Sequence, residues 1–274
     1  TPQQRTMEYY PSATLGPSPA HPPTSPPSSF TGKTLVLPVV SHGNVGQLAS
    51  DLLINTWPLA RAGCLDHAAL LPCIGCGAFS ETTGVNARQR LALGMEVWSS
   101  DSERGDAPAD LASVVVAQQR AEVVGGAQGE FAIATAAWIA ASGFAEVVIM
   151  ASMPSTAGVA PGQIGGTRFR HVTAEAEGEI DPRCDGSGIA ILESEISPAS
   201  EGDNGGAEGG EKKALALLPP WSLLRACKAM GVKATCVLAI CSEGDNSADA
   251  AAMADAVATV LSVGEFLLAG EAGG

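Results

Sequence analysis

The residues best suited to chemistry lie in two glycine turns and one cysteine pair. The first turn, Ser41-His42-Gly43-Asn44-Val45-Gly46, follows the apolar run 35–40 and leads into Gln47 and an amphipathic segment. Backbone amides at a strand-to-helix junction attract anions, so a phosphate cradle is the first chemistry to weigh. The spacing argues against it. Only Gly43 and Gly46 are present, where a dinucleotide loop carries G-x-G-x-x-G and a P-loop carries G-x-x-x-x-G-K-[ST]. The second turn, Ser242-Glu243-Gly244-Asp245-Asn246, also separates an apolar run from a helix-like segment. Glu243 or Asp245 could act as a base beside His42, the histidine nearest a candidate pocket. Acidic turns more commonly just start helices. Neither G-x-S-x-G nor H-E-x-x-H occurs. Cys73-Ile74-Gly75-Cys76 is a C-x-x-C, but no second pair completes a zinc site and the nearby glycines read as a loop. No catalytic residue, metal or cofactor is expected.

Both turns need elements to hold them. Leu35–Val40 reads as a buried strand, and Val45, Leu48, Leu52 and Thr56 recur on one face of a following helix, with Ala49 and Leu53 beside them. Asn44 is a candidate N-cap with Gln47 positioned for a capping box, and Pro58 should end the helix at Trp57. Residues 64–74 read as a second strand. Residues 95–98 and 111–118 read as a strand pair, and 126–142 as a helix. A strand follows at 146–150 and a helix at 220–230. Thr235–Cys241 reads as a strand and 247–268 as a long helix that Asn246 caps. Alternating strands and helices predict an α/β fold, a mostly parallel sheet flanked by helices. In such a sheet both glycine turns fall on the carboxyl edge, as neighbours on one surface.

At 274 residues with 46% hydrophobic and 16% charged side chains, the chain can bury a substantial core. A formal charge of −14 excludes nucleic acid and anionic membranes as natural partners and suits basic protein surfaces. No stretch of 18 apolar residues is present, so no membrane span is expected. Seven scattered cysteines fit a reducing compartment. Residues 1–30 hold eight of the 18 prolines, so 1–32 is expected to be disordered, with one α/β domain over 33–270. Between 175 and 211 there are 11 acidic residues against one basic residue, Arg183, and 196–211 reads as a solvated acidic loop.

The run SHGNVGQLASDLL after TLVLP, with LAICSEGDNSADA near the other end, resembles the proteasome assembly chaperone 2 family. The likeness lies over about 34–76 and 234–262. It implies a non-catalytic chaperone with a single α/β domain, distantly similar to nucleoside phosphorylases. It further implies pairing with proteasome assembly chaperone 1, action on proteasome α-subunits during ring formation, and a cytoplasmic and nuclear location. Gly43–Gln47 and Ser242–Asn246 then become signature positions for partner contact or structure. The competing expectation is a nucleoside phosphorylase- or hydrolase-like enzyme working at the same carboxyl edge.

Overall fold

A computed structural model describes residues 6–12, 25–76, 91–100, 109–154, 168–174, 179–193 and 219–263. Its strands are β1 (Glu8–Pro11), β2 (Thr34–Pro38), β3 (Leu59–Asp66), β4 (Ile74–Cys76), β5 (Leu91–Leu93), β6 (Met95–Ser100), β7 (Val114–Gln119), β8 (Glu146–Pro154), β9 (Phe169–Thr173), β10 (Ala190–Ile191) and β11 (Ala234–Cys241). Its helices are α1 (Val45–Thr56), α2 (Ala109–Ala112), α3 (Gln128–Ala141), α4 (Pro182–Gly186), α5 (Trp221–Ala229) and α6 (Ser247–Val260).

Nine strands form one sheet in the order β1-β3-β6-β7-β2-β8-β11-β9-β10. Its centre, β7-β2-β8-β11, is parallel, as strand–helix alternation predicts. Antiparallel pairs flank that centre on the β6 and β9 sides. The central strands are apolar nearly end to end because helices cover both faces. Leu35, Leu37, Val115, Val147, Ile149 and Leu238 face a layer made by α3 and α5. Val36, Val116, Val148, Met150 and Val237 face the other layer, made by α1 and α6. That alternation is the period-2 geometry of a strand, satisfied on both sides.

Several expectations change in the structure. The second strand is displaced: β3 starts at Leu59 and ends at Asp66, and 74–76, read as part of a C-x-x-C loop, pair with β5 as a two-stranded arm. Disorder over 1–32 fails at both ends of its described part. Glu8–Pro11 pair antiparallel with β3, and the Tyr9 hydroxyl donates to the Ala62 carbonyl at 3.0 Å. Phe30 is 1% exposed and stacks on Phe144 with ring centroids 5.4 Å apart. Two aromatic rings thus supply the burial that the scarcity of aliphatic residues seemed to deny. Residues 1–5 and 13–24, and the acidic loop 196–211, lie outside the described residues.

The terminal helix stops at Val260 rather than near 268. Ser262 turns left-handed (φ 57°), and the Val263 amide donates back to the Ala258 carbonyl at 2.9 Å, closing the last turn. Residues 264–268 lie outside the described residues. The apolar face of α1 is rotated from the one the sequence suggests. Val45, Ala49 and Leu53 are buried, whereas Leu48 is 41% exposed. Gly46 explains the rotation: a Cβ there would sit 2.8 Å from the Met150 carbonyl oxygen, so this face lies directly on the sheet.

Candidate functional site at the carboxyl edge

The two glycine turns follow β2 and β11 and do meet at the carboxyl edge. After β2 the chain turns through His42–Asn44, where Gly43 (φ 66°) and Asn44 (φ 55°) are both left-handed. Asparagine is among the few side-chain-bearing residues that enter this region readily. The turn is locked by its carbonyl groups. The Ser152 hydroxyl and the Cys241 thiol both donate to the His42 carbonyl, the thiol at 3.6 Å. Asn246 Nδ2 donates to the Gly43 carbonyl at 3.2 Å and to the Gly244 carbonyl at 3.3 Å. Ser41 completes the lock, its Oγ accepting from the Ser152 amide at 3.0 Å and lying 3.0 Å from Ser152 Oγ. Burial pushes the Cys241 thiol up, which keeps it a donor.

Asn246 therefore bridges the turns instead of capping α6 with its side chain. The capping falls to Asp245, whose Oδ1 accepts from the Ser247 amide at 3.0 Å and from its hydroxyl at 2.7 Å. Those bonds lower the Asp245 carboxyl. Asn44 stands at the N-cap position of α1 but makes no side-chain cap bond, and Gln47 does not close a capping box. Gln47 contributes its main-chain carbonyl, which accepts from Gln118 Nε2 at 2.8 Å. Val45 is fully buried in the layer beneath, and Asn44, Ser242, Glu243, Gly244 and Asp245 are exposed.

Sequence reasoning missed Ser152 and Cys241, which sit inside apolar strands, and a polar seam under α1. Arg120 holds Asp51 with two bonds, Nη2–Oδ1 at 2.6 Å and Nη1–Oδ2 at 3.0 Å, and Gln118 Nε2 adds a third at 2.9 Å. Glu96, 2% exposed, is held by Arg61 at 2.9 Å. A lone aspartate within an apolar helix and a Gln-Gln-Arg run ending an apolar strand were the available signals.

The opposite, amino edge carries an ion-pair cluster. Arg183 binds Glu146 at 2.5 and 2.9 Å and Asp181 at 2.8 and 3.1 Å. Thr235 Oγ1 donates to Asp181 at 2.8 Å, and Lys233 reaches Glu146 at 3.2 Å. Burial pushes the Asp181 carboxyl up, but the bonds from Arg183 and Thr235 outweigh it and hold the group well below the usual carboxylate range. Burial likewise opposes ionisation of Glu146, and Arg183 with Lys233 pulls it down overall. His171 lies in β9 and is fully buried: Nε2 accepts from the Asp181 amide at 3.2 Å and Nδ1 donates to the Ile189 carbonyl at 2.7 Å.

Chemically, the carboxyl edge is built to hold a shape. The hydroxyl, thiol and amide groups that could act on a substrate are aimed at the turn's own carbonyls. Among the described residues no three His, Cys, Asp or Glu side chains are grouped to hold a metal ion. Cys64, Cys73, Cys184, Cys227, Cys236 and Cys241 are free thiols, and burial pushes Cys64 to about 11 and Cys227 to about 12, so neither is a ready nucleophile. No described helix is long and apolar enough to cross a membrane.

The two turns thus form one hydrogen-bonded lock at the carboxyl edge of an α/β sheet, with exposed polar residues around it. The sequence pattern of the PAC2 family matches residues 35–265, and the chain belongs to that family. It is 30% identical over 232 residues to "Proteasome assembly chaperone 2" of Nematostella vectensis, covering 82% of this chain and 87% of that protein. It is 32% identical over 231 residues to the protein of the same name from Danio rerio, covering 82% of this chain and 81% of the relative. Among solved structures, Pyrococcus furiosus PbaA, "an archaeal homolog of proteasome-assembly chaperone", shares the fold with a TM-score of 0.54 at 14% identity, covering 85% of this chain and 83% of its own. Pyrococcus furiosus PbaB, "an archaeal proteasome activator", gives a TM-score of 0.55 at 15% identity, covering 97% of this chain and 92% of its own.

Proposed function

We propose that this chain is a non-catalytic assembly chaperone of the proteasome. In this reading it pairs with a proteasome assembly chaperone 1 subunit, and the pair gathers α-subunits into a ring and keeps rings from pairing prematurely. The observation that carries the proposal is the family membership, read with a carboxyl edge whose Ser152, Cys241 and Asn246 are spent on the His42 and Gly43 carbonyls. An enzyme at this edge would need those groups free. The expected site of action is the cytoplasm and nucleus, which imaging of a fluorescent fusion checks directly.

Purification of the tagged full chain from cell extract tests the proposal. A second α/β chaperone chain near one-to-one, together with proteasome α-subunits, is the expected result. The chain alone, or turnover of nucleosides by the purified protein, overturns it.

A further inference from the structure

Beyond the carboxyl-edge turns, the arm formed by β4 and β5 stands out from the main sheet. Described contacts tie it to the main sheet. Arg61 Nη1 donates to the Leu91 carbonyl at 3.1 Å, the Leu71 amide donates to Glu122 at 2.9 Å, and Leu70 bridges to Val123. It carries large exposed apolar side chains: Ile74 is 66% exposed, Leu91 57% and Leu71 45%. Between this arm and the β1–β3 edge lies a groove of about 510 Å³, with Tyr10, Leu65, Leu70 and Leu93 in its walls. That size falls within the range of sites that take up a ligand or a short peptide segment, roughly 300–1,000 Å³.

Two further properties define what fits. Among the described residues β4 and β5 pair only with each other. An open edge with large apolar side chains is a template for another strand. The charge is one-sided as well. Among the described residues the groove's one charged wall residue is Asp66, Glu122 is exposed beside Leu71, and the nearby cations Arg61 and Arg120 are already paired with Glu96 and Asp51. We propose that this groove docks an extended segment of a partner protein that carries apolar residues flanked by lysine or arginine. The segment adds its backbone to the arm, seats its apolar side chains on Leu71, Ile74 and Leu91, and sets a cation against Asp66. This rests on the reading that the chain works through protein contacts, and adds the surface and the chemistry of the partner.

The test uses the full chain and a defined probe: a fluorescent synthetic peptide with a Val-Ile-Val centre and lysine at both ends, titrated by anisotropy. A glutamate-ended counterpart is the control. The lysine-ended peptide should bind the wild type. Ile74→Glu with Leu91→Glu should weaken it at least about tenfold, as loss of an apolar anchor does. Asp66→Lys should weaken it less, by a margin that shrinks as salt rises. These positions are at the surface, and unchanged melting temperatures will show that the variants fold. Equal binding by the wild type and the Ile74→Glu/Leu91→Glu variant, equal binding of both peptides, or no binding to the wild type overturns the proposal. Failure of the tagged chain to recover proteasome subunits would remove the chaperone reading and leave the peptide result to judge the groove.

Discussion

The two ends of the sheet are held by different physics. At the carboxyl edge the His42–Asn44 turn is fixed by neutral donors aimed at main-chain carbonyls. At the amino edge one guanidinium holds two carboxylates. The neutral lock asks nothing of solution pH and depends on shape, because Gly43 must leave room for Asn246. The ionic cluster tolerates shape change poorly for another reason: removing one partner strands the others in a partly buried site. The carboxyl edge is thereby decoupled from titration, and the amino edge, which ties β8, α4 and β11 together, is not.

The largest expected effect comes from breaking the ionic end. Arg183→Met should cost about 3 kcal/mol in urea denaturation at pH 7, by leaving Asp181 without its counter-charge and Glu146 with Lys233 alone. The pH dependence has a definite sign. Both carboxyls are depressed in the folded state, so their stabilisation is complete above the ordinary carboxylate range, about pH 4, and is lost as pH falls through the folded values. Wild-type stability should therefore fall on acidification, while the deficit of Arg183→Met narrows. A deficit that is constant from pH 7 to pH 3 would refute the ionic account.

Next comes Gly43→Val. Its Cβ would meet Asn246 Nδ2 at 2.4 Å in a left-handed backbone, so the turn and the bridge are lost together. A cost of about 2–3 kcal/mol follows, read as a melting temperature lower by several degrees. Asn246→Ala removes the bridge without the clash and should cost about 1–2 kcal/mol, with no pH dependence. The smallest effect belongs to Asn44→Gly, within about 0.5 kcal/mol, because glycine accepts the same angles. If Asn246→Ala proves harmless while Gly43→Val unfolds the chain, the lock is steric rather than hydrogen-bonded.

What the sequence made legible follows the same division. Thr34–Thr56 could be read closely because an apolar run, two glycines and a proline each constrain the backbone within a few residues. The meeting of the two turns was legible because each follows a strand and precedes a helix, which in a parallel sheet puts both on the carboxyl edge. Which donor took which acceptor was not: Asn246 precedes a helix and looks like a cap, and only the approach of Gly43 from another strand diverts it. β1 was hidden for a related reason. Four residues among prolines have no periodicity to detect, and their burial comes from the edge of β3, about 55 residues further on. β9 gave no signal either, because polar and charged residues such as Arg170 and His171 mark surfaces on average, and here both are buried at the flank of the sheet. Whether the signature turns touch a partner is a matter of a second surface, which one chain's sequence does not contain.

The place of β11 also bears on how the protein is made. This strand lies between β8 and β9, so β9 and β10 join the sheet only through a segment synthesised after them. On the ribosome, a nascent chain that has not yet released Ala234–Cys241 shows the open edge of β8 and carries β9 and β10 with no strand to join them to the sheet. Completion of the sheet beyond β8 must wait for β11 to emerge, and during that wait an apolar edge is displayed to the crowded cell. A protein whose relatives help others assemble thus passes through a vulnerable interval of its own.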